Sequence, residues 1–380
     1  MDISRRSFLR GSIAAAALPL VPGCLPGTGS PDHPSGPSAG DGIDMLYGHG
    51  PDAIRLNKNE NPFGPSPRAI EAVSRHLDQS HRYVDSTALR ETLAARHGLE
   101  PDMVITGTGS GEILRMIPFA WMLDGGNIVS ARQTYRATPS VVERMGGEVR
   151  WVDMRDDGGW DVDAMIAAAD AGTRIFYVVN PSNPTGATLE REDLEKMLGA
   201  VSGTALFLVD EAYVHFLPDR GWSALDLLGE HRNVFVTRTF SKAYGLAGLR
   251  VGWGAGHPEV VERIDRFMMT GMNTAAFAGA LAALDDAEHV ERFVAHAREC
   301  KAFYEERLSE LGLNPICGHA PLVMAEIGDD VPRVVEALAA SGIHVRDGSS
   351  WEMPRHIRIS FGLAHQNERV VESLREALAA

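Results

Sequence analysis

The residues best suited to chemistry lie in one stretch, Thr237 to Arg250. A short apolar run, Val234-Phe-Val-Thr237, reads as a buried strand. Ser241 and Lys242 come soon after it. Small and apolar residues then carry the chain to Arg250, and Val251-Gly-Trp-Gly254 reads as another strand. A lysine near a strand end, with few charges around it, is a candidate for a depressed pKa and for Schiff-base chemistry. Ser241 and Arg250 add a hydroxyl and a fixed cation, which together suit a phosphate. Alone, such a lysine is an ordinary surface residue, and its meaning depends on its company.

That company sits at the ends of other strands. Val104-Ile-Thr-Gly-Thr-Gly-Ser-Gly-Glu-Ile-Leu114 reads as strand, glycine turn and helix, with Ser110 as the expected N-cap. The free N–H groups at such a helix start form an anion site. Glu112 stands where a dinucleotide fingerprint needs its third glycine, and no Gly-Lys-Ser/Thr follows. Thr108 and Glu112 also exclude a Gly-x-Ser-x-Gly nucleophile elbow around Ser110. Further apolar runs follow at 127–130, 149–153, 175–179 and 206–210, most of them separated by helical patterns. This alternation predicts an α/β fold with a mainly parallel seven-stranded sheet and helices on both faces. Ligands bind such sheets at the carboxyl ends of the strands. Tyr135, Asn183 in Asn180-Pro-Ser-Asn-Pro-Thr-Gly186, Asp210 and Tyr213 in Asp-Glu-Ala-Tyr, and Lys242 all fall at those ends. Asp210 closes an apolar run and is expected to be buried, where a carboxylate is costly unless paired. It reads either as a helix cap or arginine partner, or as the counter-ion of a protonated ring nitrogen.

The remaining chain frames this core. Leu56 to Pro67 is a proline-punctuated loop, an arm that could fold over a site and offer side chains such as Asn61 to a polar ligand. Pro67 to Leu77 has helical periodicity with Ile70, Val73 and Leu77 on one face. From Pro258 a long helical stretch runs to Leu311, and strands at 322–327 and 356–360 predict a smaller α+β C-terminal domain. Arg346 and Arg358 lie in or near strand-like surroundings, where an arginine usually needs an acidic partner or an anionic ligand.

The composition sets limits. The 380 residues carry a net charge of −15, which argues against a nucleic-acid partner. Three cysteines make no disulfide framework, and no metal-ligand spacing occurs among the 14 histidines. Residues 1–24 read as a twin-arginine signal peptide, with Arg5 and Arg6 followed by an apolar stretch from Ile13 to Val21. Residues 25–42, rich in Pro, Gly and Ser, read as a flexible linker. Cys24 before that tether resembles a lipoprotein processing site, hence a possible lipid anchor, and the exported protein is expected to be periplasmic or membrane-anchored. The expected divisions are an N-terminal arm at 43–72, a large domain at 73–275 and a small domain at 276–380.

In this order, Asn-Glu-Asn-Pro, Gly-x-Gly-Ser, Asn-Pro-x-Asn-Pro-Thr-Gly, Asp-Glu-Ala-Tyr and Ser-Lys-x-x-x-Leu-Ala-Gly-Leu-Arg resemble the fold-type I class I/II aminotransferases, and among them the histidinol-phosphate aminotransferases. The resemblance spans residues from about 54 to 380. It implies pyridoxal 5'-phosphate as cofactor, with Lys242 holding it covalently and moving the substrate proton. It implies Asp210 at the pyridinium nitrogen, Tyr213 and Asn183 at the ring hydroxyl, and Tyr135 on the ring face. Ser110, Gly111, Ser241 and Arg250 would take the phosphate. Tyr83 would reach the phosphate of a neighbouring subunit, which makes a homodimer with shared sites. Arg358 would grip a substrate carboxylate and Arg346 a second anionic group. The implied reaction passes an amino group from an amino acid or histidinol phosphate-like amine to a 2-oxo acid in ping-pong fashion. Decarboxylases of the threonine-phosphate type and racemases share the cofactor residues and stand as the alternative. A non-catalytic surface protein is disfavoured because Lys242, Asp210, Asn183 and Arg250 are all present. Gly111, Gln133 to Thr138 and His319 to Leu322 depart from the usual pattern near the substrate.

Overall fold

The computed structural model describes residues 52–380 apart from 219–221 and 270. The twin-arginine segment, the linker, Cys24 and the first part of the arm lie outside the described residues.

The apolar runs form the strands expected of them. β1 is Ile54–Arg55, β2 Val104–Gly107, β3 Asn127–Ala131, β4 Glu148–Val152, β5 Thr173–Val179, β6 Leu206–Asp210, β7 Val234–Thr239 and β8 Gly252–Gly256. Seven of these make one sheet in the order β2-β8-β7-β6-β5-β3-β4. The pairs from β4 through β3, β5 and β6 to β7 are parallel, and β8 runs antiparallel between β7 and β2. The expected fold class therefore holds. Side chains alternate across the sheet with period two. Val129, Phe176, Val178, Phe207, Val209 and Val236 face one apolar layer. Ile128, Ile175, Tyr177, Leu208 and Phe235 face the other. Both layers are covered, so the central strands are apolar on both sides and read as continuous runs.

Helices supply the covering. They are α1 Pro67–His76, α2 Thr87–His97, α3 Ser110–Trp121, α4 Ala137–Arg144, α5 Val162–Ala167, α6 Arg191–Gly199, α7 Pro258–Asp265, α8 Thr274–Leu284 and α9 Ala287–Glu310. The helical stretch from Pro258 to Leu311 is thus three helices. One break is made by Asn273, whose Oδ1 accepts the Ala276 N–H at 2.7 Å and starts α8 afresh. The alanine-rich α8 buries Ala276, Ala280 and Ala283 in the same layer as the sheet, whereas α9 contributes Phe293, Cys300 and Tyr304 to a second core.

That second core lies against an antiparallel sheet of β9 Pro315–Ile316, β10 Leu322–Glu326, β12 Arg346–Asp347 and β13 His356–Ser360, ordered β12-β13-β10-β9. α10 (Val331–Ala340) and α11 (Ala364–Ala379) pack with it. β1 pairs in parallel with β11 (Ile343–His344), so the arm is anchored to the C-terminal part of the chain rather than to the large sheet. α1 buries Ala69 in the first core and sets Val73 against Gly279 of α8, while Ile70 is 51% exposed and Leu77, just past the helix end, 55%.

One buried ion pair stitches the sheet floor. Glu211 meets Arg238 at 2.8 Å and also accepts the Ser223 hydroxyl and the Ala224 N–H, at 2.8 and 2.6 Å. Both partners are nearly inaccessible, so removing one leaves an uncompensated charge. The Glu211→Ala protein is expected to lose about 3–5 kcal/mol of stability, read as a lower urea midpoint; an unchanged midpoint would show that the pair is not needed.

Candidate active site

The ends of β6 and β7 bring a carboxylate and an amine into one buried region. Asp210 is the last residue of β6 and is buried. Its Oδ1 accepts the Thr237 hydroxyl at 3.1 Å, from the register partner on β7. The adjacent Glu211 pairs with Arg238, and among the described residues no cation pairs with Asp210. Burial pushes its pKa up to about 7, opposed by the Thr237 hydroxyl and the Ala212 N–H. A carboxylate left in this condition suits a cationic ring nitrogen.

Lys242 sits on the turn after β7. Its Nζ donates to the carbonyl of Lys58 in the arm at 2.7 Å. Desolvation, and then the positive charge of Arg358, lower its pKa to about 8, with Glu60 and Asp210 acting the other way. The amine is therefore far easier to deprotonate than an exposed lysine.

The anion cradle is formed by backbone. The helix N-cap is Gly109 rather than Ser110, with φ +82° and no side-chain cap bond. A side chain is excluded there on two sides: a Cβ on Gly109 would strike the Arg250 guanidinium, and one on Gly252 would strike the Ser110 nitrogen. The helix thus starts one residue earlier than expected, with Ser110 as its first residue and Gly111 next to it. Arg250 itself has φ +59°, and its Nη1 donates to the carbonyl of Ala247 at 2.9 Å and lies 3.5 Å from Ser241 Oγ. Ser241 is fixed by the Thr239 hydroxyl at 2.9 Å. A helix start, a hydroxyl and a guanidinium thus converge, as phosphate binding requires.

The other groups come from the loops around this centre. The Tyr135 carbonyl accepts the hydroxyl of buried Tyr177 at 3.0 Å, which fixes the loop after β3. Tyr213 is buried and accepts Asn59 Nδ2 at 2.8 Å; burial pushes its pKa up to about 12. Asn183 Oδ1 accepts Arg358 Nη1 at 2.9 Å, which leaves the asparagine NH2 free to donate. Arg358 also donates from Nη2 to the Asn57 carbonyl at 2.6 Å, and its guanidinium carbon lies 4.8 Å from the Trp351 ring centre. Its Nε is buried and has no hydrogen-bond partner. Burial lowers its pKa to about 10. Arg346 stands opposite Arg358 across the β12–β13 pair, 5.6 Å from the same tryptophan ring, and is exposed. Neither arginine has an ion-pair partner among the described residues.

Asn61 and Tyr83 complete the expected set. Asn61 spends both ends of its amide on the fold: Nδ2 donates to the Ala243 carbonyl at 3.0 Å, and Oδ1 accepts the Phe63 N–H at 2.9 Å. It ties the arm to the Lys242 turn. Tyr83 is 102% exposed in this chain. Sequence reasoning missed Asn59, Thr237 and Trp351. For Asn59 the available signal was its place among short amides next to Asn61; for Trp351 it was an aromatic between two unpaired arginines.

Comparison with known proteins agrees with this geometry. The family described as aminotransferase class I and II matches residues 51–378. Residues 2–22 match the twin-arginine translocation signal sequence, so the chain carries an export signal. It is 38% identical over 335 residues to the histidinol-phosphate aminotransferase of Symbiobacterium thermophilum, covering 86% of this chain and 91% of that protein. It is 36% identical to histidinol-phosphate aminotransferase 2 of Nitrosospira multiformis, covering 86% and 84%. The crystal structure of the Sinorhizobium meliloti histidinol-phosphate aminotransferase in complex with pyridoxal-5'-phosphate superposes with a TM-score of 0.81 at 27% identity, covering 86% of this chain and 91% of that one. Aspartate aminotransferase from Thermus thermophilus with maleate, at 23% identity and a TM-score of 0.76 over 87% and 92% of the two chains, shares the fold. With the matched family spanning nearly all the described residues, the chain belongs to the class I and II aminotransferases.

Proposed function

We propose that this protein is an exported, pyridoxal phosphate-dependent aminotransferase that moves an amino group from an amino acid or a histidinol phosphate-like amine to a 2-oxo acid. The observation that carries it is Asp210, a buried carboxylate with no cation of its own, in the same site as a lysine whose pKa is lowered to about 8. The residues present fit the cofactor. Asp210 would hold the ring nitrogen in its protonated form. Tyr213 and the free NH2 of Asn183 would donate to the ring oxygen, and Tyr135 would cover the ring face. The N–H groups of Ser110 and Gly111, the Ser241 hydroxyl and the Arg250 guanidinium would hold the phosphate. When bound, pyridoxal phosphate supplies an electron sink for the bond broken at the substrate carbon.

The chain's own work is to orient the substrate and move a proton. Arg358, buried with Nε unpartnered, offers a fixed cation to a substrate carboxylate. Arg346, on the neighbouring strand, offers a second cation to another anionic group. Lys242 Nζ, neutral for a useful fraction of the time near pH 7–8, can take a proton at the substrate carbon and return it. The identity to proteins named as histidinol-phosphate aminotransferases supports an amine of that chemistry, although the export signal separates this chain from a cytosolic biosynthetic role. We infer action beyond the inner membrane, in the periplasm. We also infer a homodimer, in which the exposed face of α1 is covered and the partner subunit's Tyr83 completes each phosphate site.

The decisive experiment loads the purified protein with pyridoxal phosphate and adds single amino acids and histidinol phosphate without an acceptor. Conversion of the bound cofactor to pyridoxamine phosphate, one per site, is expected for at least one donor. Release of carbon dioxide or of the opposite enantiomer without pyridoxamine phosphate would overturn the reading. The lowered lysine pKa gives a second expectation. Because the shift is downward, the neutral amine appears at lower pH than in an exposed lysine. Reductive trapping of a small aldehyde on Lys242 should rise with a midpoint near pH 8, and a midpoint above 10 would refute it. Shared sites make a third. Mixing Lys242→Ala and Tyr83→Ala protomers, each impaired as a homodimer, should restore activity through the one intact site of the heterodimer; no recovery would refute subunit sharing.

A further inference from the structure

Three consecutive residues of the arm each touch a different group of the site. The Asn57 carbonyl accepts from Arg358, the Lys58 carbonyl accepts from Lys242, and the Asn59 amide meets Tyr213. The third contact has a direction that can be worked out. We propose that Asn59 is a positioning residue that commits the Tyr213 hydroxyl hydrogen to the cofactor, with Ser360 fixing which way the amide points. The proposal rests on the cofactor reading given above.

The direction follows from counting donors and acceptors. Ser360 Oγ accepts the backbone N–H of Asn59 at 2.8 Å. Its single hydrogen is then free to go to Asn59 Oδ1, 2.7 Å away. With the amide turned the other way, that hydroxyl would face a second N–H, and its own hydrogen would be stranded in a buried place. The oxygen end of the amide therefore faces Ser360 and the NH2 end faces Tyr213. An amide N–H can only donate, so Tyr213 Oη is the acceptor at 2.8 Å. The phenolic hydrogen of Tyr213 is left to point elsewhere, and no group among the described residues accepts it. Asn59, Tyr213 and Ser360 are all buried, so water does not compete for these bonds. The turn that delivers the amide needs φ +54° at Asn59, a conformation that asparagine tolerates better than most side chains.

A hydrogen bond received by a hydroxyl also polarises it and strengthens the one it donates. Asn59 thus acts on the ring oxygen through Tyr213. With the cofactor bound, a donor at that oxygen would stabilise its negative charge and so favour the deprotonated form of the bound chromophore. Weakening the donor raises the pH at which the visible band of the bound cofactor changes.

The test is a pH titration of that band in the pyridoxal phosphate-loaded dimer. Asn59→Ala is expected to move the midpoint up by about half a pH unit, the effect of losing one neutral hydrogen bond at one remove. Asn59→Asp should move it up at least as far, because a carboxylate can only accept and would draw the Tyr213 hydrogen away from the ring. Ser360→Ala should give a smaller shift of the same sign. In a Tyr213→Phe background, Asn59→Ala should add nothing. An unmoved midpoint in both Asn59 variants, or an equal shift with and without the Tyr213 hydroxyl, would overturn the inference, the second result assigning Asn59 a purely structural role. If Asn59→Ala fails to fold, Asn59→Asp and Ser360→Ala carry the same test. A wild-type protein with no visible band after loading would instead fail the cofactor reading, and a band that pH does not move would overturn the inference alone.

Discussion

The site depends on a carboxylate that the fold declines to neutralise. Asp210 and Glu211 are consecutive, both buried at the end of the same strand. The arginine of the next strand pairs with Glu211, which also takes Ser223 and the Ala224 N–H, whereas Asp210 lies on the opposite face beside Thr237. Asp210 receives only neutral donors, which are too weak to offset its desolvation, and its pKa rises to about 7. A buried charge of this kind is a cost to stability unless something cationic arrives. No cation among the described residues pairs with it, and the ion pair on the other face ties the ends of the two strands together.

Around that carboxylate the polar groups are arranged so that each is half satisfied. Arg358 has an asparagine oxygen and a backbone carbonyl, but no acid and one orphaned N–H. Lys242 has a carbonyl acceptor that leaves its charge poorly compensated. The helix start at Ser110 and Gly111 is left uncapped by any side chain, because Gly109 and Gly252 allow the backbone and a guanidinium to approach where a Cβ would stand. Incomplete satisfaction at three separate points, each open to a group of opposite polarity, distinguishes this region from the buried Glu211–Arg238 pair a few residues away. There both carboxylate oxygens are engaged, by Arg238, the Ser223 hydroxyl and the Ala224 N–H, and the result is structural.

The arm joins the two cores chemically as well as spatially. β1 pairs with β11, and Asn61 is bonded to the carbonyl of Ala243 beside Lys242. Between them, residues 57–59 reach Arg358, Lys242 and Tyr213. A segment without regular structure, punctuated by proline so that it can be neither helix nor central strand, is therefore the element that aligns groups from both layers of the molecule.

Much of this was legible in the sequence, for local reasons. The seven strands announce themselves as short apolar runs because both faces of the sheet are buried, and Asp210, Lys242 and Arg250 fall where those runs end. Glycines at 107, 109 and 111 mark a tight strand-to-helix turn in any context. What the sequence could not supply is which partner each polar residue takes, since that depends on residues far away along the chain. Only the fold gives Arg238 to Glu211 and leaves Asp210 without a cation among the described residues, turns Asn61 inward to hold the arm, sets Gly252 against the Ser110 nitrogen where the helix starts, and leaves Ile70, Leu77 and Tyr83 exposed. Periodicity and motif spacing record which surface a residue faces and what chemistry it can do. Hydrogen-bond partners separated by 150 or 300 positions, such as Asn59 with Tyr213 and with Ser360, are settled only when the chain is packed.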